Sequence, residues 1–229
     1  MYWLIKMTRK IKSYVLRAGR LSSRQARGLV EWLPQYQLPL DGKVWNMSAI
    51  FDNEAQTIVE IGFGMGASLW CMAEANPEIN FVGIEVHQAG IGSLAADLHE
   101  KGIHNVRIAP YDAVIVFQNY IKANSLAGIQ IFFLDPWPKA RHHKRRLIQA
   151  DFLKDFIDAL QPGGFIHCAT DWENYAEHML SVFTAEPRLQ NQAEGYAPRP
   201  LRRPFTKFEQ RGQLLGHGVW DLIFMKCKA

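Results

Sequence analysis

An acidic residue, Asp135, stands between an apolar run and a strongly basic one. The segment 131–146 reads IFFLDPWPKARHHKRR, in which seven of the eight residues from position 139 onward are Lys, Arg or His. The prolines on either side of Trp137 fix φ and are expected to hold the carboxylate in one place. Trp137 is either a flat surface for a nucleobase or a core or lid residue. The pattern is typical of a site that recognises a planar group and grips phosphates nearby.

A glycine-rich turn, VEIGFGMGAS, forms the predicted cofactor site. Gly62, Gly64 and Gly66 follow a predicted strand and precede a predicted helix, where glycine allows a tight turn and the close approach of a ligand. Gly62, Gly64 and Ala67 also fit the dinucleotide pattern, so an NAD(P)-dependent oxidoreductase is one alternative and a turn without a ligand is another. Glu60 would repel a pyrophosphate. It suits a cationic ligand such as S-adenosylmethionine, which carries a sulfonium and an ammonium group and no phosphate.

Acidic residues end or follow other predicted strands as well. Glu85 comes after the second strand, where an acid commonly accepts hydrogen bonds from ribose hydroxyls. Asp112 follows the third strand and is expected to accept a hydrogen bond from an adenine amino group, and Asp171 follows the fifth. Because ligands of open α/β sheets bind outside the carboxyl ends of the strands, these acids are expected to gather with Glu60 and Asp135 in one cleft.

The elements that must position these residues are short apolar strands that alternate with amphipathic helices. This alternation predicts an α/β fold with a doubly wound, mostly parallel sheet and crossover helices, one of them DFLKDFIDALQPGG at 151–164. The direction of the last strand is left open between parallel and antiparallel, because the loop-rich segment 186–218 precedes it. The predicted strands are 57–62, 80–86, 105–110, 129–134, 163–170 and 219–226.

Positive charge is concentrated in three segments. Residues 1–30 contain eight Lys or Arg and no acid, and further clusters lie at 139–146 and 199–211. Segregated positive charge suits a polyanion, although any one cluster is equally explained as a solvated face. Residues 1–45 are therefore predicted to be a basic N-terminal extension, partly helical and facing a polyanion such as RNA, ahead of a doubly wound domain at 46–229. Deletion of the basic arm is expected to weaken RNA affinity and to spare cofactor binding.

The cysteines bear on the compartment and on metal chemistry. Cys71, Cys168 and Cys227 are odd in number and widely spaced, which fits a reducing compartment and neither a disulfide framework nor a zinc site. His142 and His143 are adjacent and make a poor metal pair, so no metal is expected. No apolar run approaches the roughly 18 residues that span a bilayer, and the N-terminus lacks a signal-peptide pattern. The protein is expected to be soluble and cytoplasmic, with no membrane partner.

Seven motifs, in order along the chain, resemble the bacterial tRNA (guanine-N7)-methyltransferase family. They are RAGRLSSRQ, EIGFGMG, GIEVH, DPWPKARHHKRR, TDWENYAEHM, YAPRPLRRPFTKFE and TKFEQRGQLLGHGVWDL. The resemblance covers nearly the whole chain from about residue 15. It implies a class I S-adenosylmethionine-dependent methyltransferase domain, Rossmann-like, at 46–229, and transfer of a methyl group from S-adenosylmethionine to N7 of the guanine in the tRNA variable loop. The partner is then tRNA, and the protein is either a monomer or a homodimer.

The same resemblance assigns individual residues. It implies cofactor contacts by Glu60, Glu85 and Asp112, and catalysis by Asp135. Substrate contacts are implied for Lys139, Asp171, Thr206, Lys207, Phe208 and Glu209. The basic segments predict RNA backbone contacts by Arg17, Arg20, Arg141, Lys144, Arg145 and Arg146. Two departures from the family pattern adjoin the catalytic acid. These are Leu134, where proline is expected, and Pro138, where histidine is expected.

The chemistry of this reaction limits what Asp135 has to do. N7 of guanine has a free lone pair and carries no hydrogen, so its methylation needs no general base. Asp135 is instead expected to accept hydrogen bonds from N1–H and the exocyclic amino group, and to stabilise the positive charge that grows on the purine. Much of the rate enhancement is expected to come from the alignment of nucleophile, methyl carbon and sulfur. Asp135→Asn is therefore expected to lose most of its turnover and still to bind cofactor.

Alternatives remain open for the later motifs. Thr170 with Glu173, and Thr206 with Glu209, fit the capping box and predict helix starts, which is compatible with substrate contact. A proline-rich loop carries Arg199, Arg202 and Arg203. These arginines are predicted either to bind phosphate or to lie in solvent. A non-catalytic RNA-binding module that keeps this fold is a further alternative. Such a module would bind tRNA with a steep salt dependence and show no turnover.

Overall fold

Seven strands form one sheet in the part of the chain that the computed structural model describes, which is residues 11–16, 19–205, 209 and 218–228. Each predicted strand has a counterpart, whereas β6 was not predicted because three residues carry no periodic signal. The strands are β1 (Thr57–Ile61), β2 (Asn80–Ile84), β3 (Val106–Ala109), β4 (Leu126–Phe132), β5 (Leu160–Thr170), β6 (Leu189–Asn191) and β7 (Trp220–Lys226), in the spatial order β3-β2-β1-β4-β5-β7-β6.

The sheet is doubly wound, as the alternation of elements predicts. β1 pairs in parallel with both β2 and β4, β2 pairs with β3, and β4 pairs with β5. The strand order therefore reverses beside β1, and the carboxyl ends of β1 and β4 form the edge where a ligand cleft is expected. β7 runs antiparallel between β5 and β6, which settles the direction that the sequence left open.

Helices cover both faces of the sheet. Val59 and Ile61 of β1 enter a hydrophobic cluster with Phe156, whereas Ile58 enters a second cluster with Leu94. This division follows from the two-residue period of a strand. The helices are α1 (Ser23–Arg27), α2 (Leu33–Tyr36), α3 (Met47–Phe51), α4 (Ala67–Ala75), α5 (Gln88–Lys101), α6 (Ala113–Asn119), α7 (Ala150–Ala159) and α8 (Glu173–Thr184), with a π-helical turn at Gly28–Trp32 and a 3₁₀ helix at Ala140–Arg145.

The helical part of the N-terminal extension packs against α5. Gly28 approaches Gly92 of α5 so closely that a Cβ at Gly28 would lie 2.0 Å from the Gly92 carbonyl oxygen. Arg24 forms ion pairs with Asp97 (2.6 Å) and Glu100 (2.7 Å), both on α5. The division of the chain at residue 45 stays a prediction, and in the structure α1 and α2 are packed parts of the fold.

Two local predictions from the sequence are wrong. The helix predicted within 151–164 forms, but it ends at Ala159, before the predicted stop at Pro162, and β5 begins at Leu160, three residues before its predicted start. A helix does start at Glu173 as predicted, but the capping box of Thr170 and Glu173 does not form, because the N-cap is Trp172 and Thr170 pairs with Trp220 in the ladder between β5 and β7. Pairing between distant strands overrides the local capping preference in this case.

Candidate active site

A cavity of about 290 Å³ opens at the carboxyl edge of the sheet. Its walls come from the turns after β1, β2, β3 and β4 and from the N-terminal segment at 13–14. Elements that are distant in the sequence therefore converge at the strand-order reversal, where open α/β sheets bind ligands. The predicted site residues that line the cavity are Gly62, Gly64, Glu85 and Asp135.

The glycine turn adopts left-handed backbone conformations. Gly62, Gly64 and Gly66 have φ angles of +72°, +57° and +84°, which residues with a Cβ rarely adopt. A Cβ at Gly62 would lie 2.2 Å from Cδ2 of Leu134, so this glycine also allows the loop after β4 to approach the turn. Leu134, one of the two departures from the family pattern, lines the cavity itself. Gly66 is the N-cap of α4, outside the lining.

Glu85 ties the glycine turn to the end of β2. Its Oε2 accepts a hydrogen bond from the N–H of Gly64 (3.0 Å), and its Oε1 accepts from the N–H groups of Val86 (2.7 Å) and His87 (3.0 Å). A carboxylate has about four lone-pair sites, so three donors leave capacity for one more hydrogen bond. The carboxylate borders the cavity, and its remaining capacity fits the predicted contact with a ribose hydroxyl.

Glu60 lies under the glycine turn and does not line the cavity. Its side chain is 1% exposed, and Oε1 accepts a hydrogen bond from the hydroxyl of Ser68 (2.7 Å). Within the described residues, Oε2 has no hydrogen-bond partner. Burial raises the pKa of Glu60 to about 7, against the opposing effect of the Ser68 hydrogen bond. A buried oxygen without a partner is rare and commonly marks a bound water or ligand.

Asp112 stands beside the cavity as the N-cap of α6. Its Oδ1 accepts a hydrogen bond from the N–H of Val114 (2.9 Å). Its neighbours Tyr111 and Ala113 line the cavity on either side of it. The carboxylate therefore holds the turn after β3, and the predicted contact with an adenine amino group stays a prediction.

The lining of the cavity fits a cationic ligand. It contains the carboxylates of Glu85 and Asp135, and none of the described residues that line it is Lys or Arg. A pyrophosphate would meet these two acids without a compensating charge, which disfavours a nicotinamide dinucleotide. The sulfonium and ammonium groups of S-adenosylmethionine would instead be stabilised by these two carboxylates. The residues present fit the predicted cofactor.

The loop that carries Asp135 is strained on both sides of the acid. Phe133 and Trp137 have φ angles of +54° and +48°, a region that non-glycine residues seldom adopt. Such strain persists only where surrounding contacts hold it, and it is concentrated at functional sites. Here the N–H of Phe133 donates to the carbonyl of Ala169 at the end of β5 (2.8 Å). Asp135 itself is exposed and lines the cavity.

Arg146 holds this loop from inside, which is a correction to its predicted contact with the RNA backbone. The residue is 1% exposed, so no phosphate can reach its guanidinium. Nε donates to the carbonyl of Pro136 (3.0 Å), Nη2 donates to Oδ1 of Asn174 (2.7 Å), and the guanidinium lies over the ring of Tyr175. Arg146 therefore links the loop after β4 to α8.

The remaining basic residues of this segment divide between solvent and the loop itself. Lys139, Arg141 and Lys144 are exposed, as their predicted contacts with tRNA require. Arg145 is half-buried, with its guanidinium 4.3 Å from the ring centroid of Trp137. The indole Nε1 of Trp137 donates to the carbonyl of Ser13 (3.0 Å). One face of the Trp137 ring is therefore covered by Arg145, and its N–H is engaged by the N-terminal segment.

An N-terminal segment that the sequence did not connect to the cofactor site forms one wall of it. Ser13 and Tyr14 line the cavity, and the carbonyls of Lys12 and Ser13 accept hydrogen bonds from Arg145 (3.3 Å) and Trp137. No motif or periodicity in residues 11–16 signals this contact, because it depends on backbone carbonyls that every sequence carries.

The predicted substrate residues near the C-terminus are only partly described. Asp171 follows β5 and is half-buried. Arg20, a predicted RNA backbone contact in the N-terminal extension, is exposed. Glu209 is buried and its carboxylate accepts two hydrogen bonds from Arg203 (2.7 and 2.8 Å). Predicted residues outside the described part of the chain are Arg17, Thr206, Lys207 and Phe208.

Arg203 is a further correction, because it neither grips phosphate nor lies in solvent. It is 1% exposed and forms a buried cluster with Glu209, Asp221 and His167, which we call the Arg203 cluster. Nε and Nη2 donate to the carboxylate of Asp221 (2.9 and 3.0 Å), which also bonds Nε2 of His167 (2.7 Å). The guanidinium lies 5.5 Å from the ring centroid of Phe133, so the cluster contacts the loop of Asp135.

The described residues contain neither of two further features. They hold no group of three or more His, Cys, Asp or Glu side chains arranged to bind a metal ion. Among the helices described, none combines the length and the apolar character that crossing a membrane requires.

Comparison with known proteins identifies close relatives over nearly the full length. A family model with the description "Putative methyltransferase" matches residues 54–222. The chain is 61% identical over 226 residues to a tRNA (guanine-N(7)-)-methyltransferase of Legionella pneumophila (strain Paris), covering 97% of this chain and 95% of that protein. It is 51% identical over 218 residues to the enzyme of the same name from Paraburkholderia xenovorans (strain LB400), covering 95% of this chain and 84% of that protein.

Solved structures share the fold at low sequence identity. The antibiotic-resistance methyltransferase Kmr superposes with a TM-score of 0.56 at 13% identity, covering 85% of this chain and 99% of that one. A SAM-dependent O-methyltransferase from Thermotoga maritima superposes with a TM-score of 0.52 at 16% identity, covering 80% of this chain and 64% of that one. These similarities show the class I methyltransferase fold.

Proposed function

The chain belongs to the tRNA (guanine-N7)-methyltransferase family, and on that basis we propose that it transfers the methyl group of S-adenosylmethionine to N7 of a guanine in the variable loop of tRNA. One observation carries the proposal: a cavity lined by carboxylates adjoins a loop with exposed basic residues. None of the described residues that line this cavity is Lys or Arg. The cavity suits a cationic cofactor, and the loop suits a phosphate backbone.

In this proposal Asp135 binds the target base. Its carboxylate accepts hydrogen bonds from N1–H and the amino group of guanine, and it stabilises the positive charge that develops on the purine. No residue has to remove a proton, because N7 carries none. When bound, S-adenosylmethionine supplies the methyl group, whose bond to sulfur breaks as the bond to N7 forms. The strained backbone at Phe133 and Trp137 fixes the carboxylate, so little reorganisation is needed during the reaction.

The cofactor side of the cleft orients its ligand through the glycine turn and Glu85. The turn brings the backbone of Gly62 and Gly64 close to the ligand, and Glu85 accepts from the ribose. Exposed Lys139, Arg141 and Lys144 contact phosphates near the entrance. These residues determine the affinity for cofactor and tRNA, whereas Asp135 acts on the base that reacts.

The test of the proposed function is identification of the methylated atom. The purified protein is incubated with labelled S-adenosylmethionine and unmodified tRNA transcripts, the RNA is digested, and nucleosides are identified by mass spectrometry. N7-methylguanosine confined to the variable loop is expected, and a transcript with adenine at that guanine is the matched substrate control. Binding of tRNA with no methylated nucleoside would overturn the proposal in favour of an RNA-binding module.

Asp135→Asn separates the role of this acid from binding. We expect turnover to fall about 100-fold or more, with an unchanged dissociation constant for cofactor measured by calorimetry. Glu78→Gln is the matched control, because Glu78 is an exposed acid in the turn before β2, at the opposite edge of the sheet. Full activity of Asp135→Asn would rule out the catalytic role.

A further inference from the structure

Trp172 is an exposed aromatic residue without a side-chain partner in the described structure. Its side chain is 42% exposed at the N-cap of α8. Its backbone N–H donates to Oγ1 of Thr170 (3.2 Å), whereas no described ring, cation or hydrogen-bonding group contacts the indole. Phe205 is equally exposed, but the guanidinium of Arg199 lies over its ring (5.1 Å). An exposed indole offers a flat apolar face that a planar ligand can cover.

Strand register puts Trp172 beside the loop of Asp135. Phe132 of β4 is paired with Ala169 of β5, and Asp135 and Trp172 each follow three residues after these partners. The N–H of Phe133 donates to the Ala169 carbonyl, so the segments that follow β4 and β5 still run side by side as they leave the sheet. Neighbouring strands are about 5 Å apart, and both turns therefore lie at the same rim of the cleft.

The other tryptophan of this region is already engaged by the protein. Trp137 donates its indole N–H to the carbonyl of Ser13, and Arg145 lies over its ring. A base could stack on the face that Arg145 covers only after that contact is broken. Trp172 offers its ring without that cost.

We propose that Trp172 stacks on a nucleobase of the tRNA at the entrance of the cleft and so positions the RNA for reaction at Asp135. This inference rests on the proposed function for the identity of the RNA. Stacking of a base on an aromatic side chain tolerates any sequence, because every base has a π-face. Trp172 would therefore increase affinity for tRNA in general, whereas Asp135 recognises the guanine.

Steady-state kinetics of three variants test the proposal. Trp172→Ala is expected to raise KM for tRNA about tenfold or more and to leave KM for cofactor unchanged. Trp172→Phe is expected to restore most of the tRNA affinity, since a phenyl ring still stacks. Leu201→Ala, at a side chain that is 97% exposed, is the matched control and is expected to behave as wild type. A Trp172→Ala variant with wild-type KM for tRNA would overturn the inference. An equal rise of KM for tRNA and for cofactor, together with a lower thermal stability, would overturn it as well.

Fluorescence supplies a readout that does not depend on turnover. Stacking on a base quenches an indole, so tRNA is expected to quench wild-type emission by an amount that disappears in Trp172→Phe. Equal quenching in both proteins would contradict the contact. If the wild type methylates no nucleoside, the proposed function fails, and quenching through Trp172 still decides the RNA contact. If the wild type methylates tRNA and Trp172→Ala matches it, only this inference fails.

Discussion

Glu60 lies on β1 and Asp135 lies in the loop after the neighbouring strand β4, and their surroundings give them different properties. Both were expected at the carboxyl edge from the sequence, because each ends or follows an apolar run of strand length. Their exposure could not be predicted in the same way. Glu60 is buried within the sheet and hydrogen-bonded to Ser68 of α4, whereas Asp135 is exposed in a loop whose backbone leaves the strand at Phe133 with a positive φ. Both differences depend on contacts between segments that are distant in the sequence.

Burial of Glu60 predicts a pH dependence of stability in the ligand-free protein. Its pKa is about 7 in the folded state, above that of an unfolded glutamate, so the folded state binds the proton more tightly. The contribution of Glu60 to the free energy of unfolding is then fully present near pH 4 and is lost as pH rises through about 7. We expect Glu60→Gln, which cannot ionise, to gain about 3 kcal/mol relative to wild type between pH 5 and pH 8.

Urea unfolding of both proteins at several pH values checks this expectation. The Ser68 hydroxyl can still donate to the amide oxygen of a glutamine, so the difference reports ionisation. Glu78→Gln, at an exposed acid, is the control and is expected to follow wild type within about 0.5 kcal/mol. A difference between Glu60→Gln and wild type that does not change with pH would contradict the shifted pKa.

At the scale of elements, the core strands were predictable and the loops that complete the site were not. Apolar runs of strand length predict β1 to β5 and β7, although β4 and β5 each begin three residues before the predicted start. Arg203 was expected in contact with phosphate or solvent, because a proline-rich loop with three arginines resembles a surface. Its burial depends on Asp221 and Glu209, and a sequence does not reveal which acids meet a given arginine.

The Arg203 cluster predicts a large effect on stability. Arg203→Met leaves the buried carboxylates of Glu209 and Asp221 without their principal cation, and we expect a loss of about 3 to 5 kcal/mol in the free energy of unfolding. Arg202→Met is the neighbouring control. Arg202 is exposed and lies over the ring of Phe165, so its loss is expected to cost about 1 kcal/mol or less. Equal destabilisation by the two variants in denaturant titrations would exclude a special contribution of the cluster.

At the scale of the whole molecule, the basic arm and the cofactor site are joined through residues 12–14. The sequence indicated an arm that contacts RNA and spares the cofactor site, since its positive charge favours a polyanion. In the structure Ser13 and Tyr14 line the cavity, and Trp137 and Arg145 bind the adjacent carbonyls. Removal of the arm is therefore no longer expected to spare cofactor binding.

Two truncations separate the charge of the arm from its contacts. Removal of residues 1–10 deletes Lys6, Arg9 and Lys10 and keeps Ser13 and Tyr14. We expect weaker tRNA binding, with a salt dependence reduced by about 2 to 3 in the slope of log K against log salt, and unchanged cofactor affinity. Removal of residues 1–16 also deletes a wall of the cavity, so calorimetry is expected to show a loss of cofactor affinity as well. Wild-type cofactor affinity in the longer truncation would mean that residues 12–14 rest against the site without contributing to it, and the effect of the arm would then be electrostatic throughout.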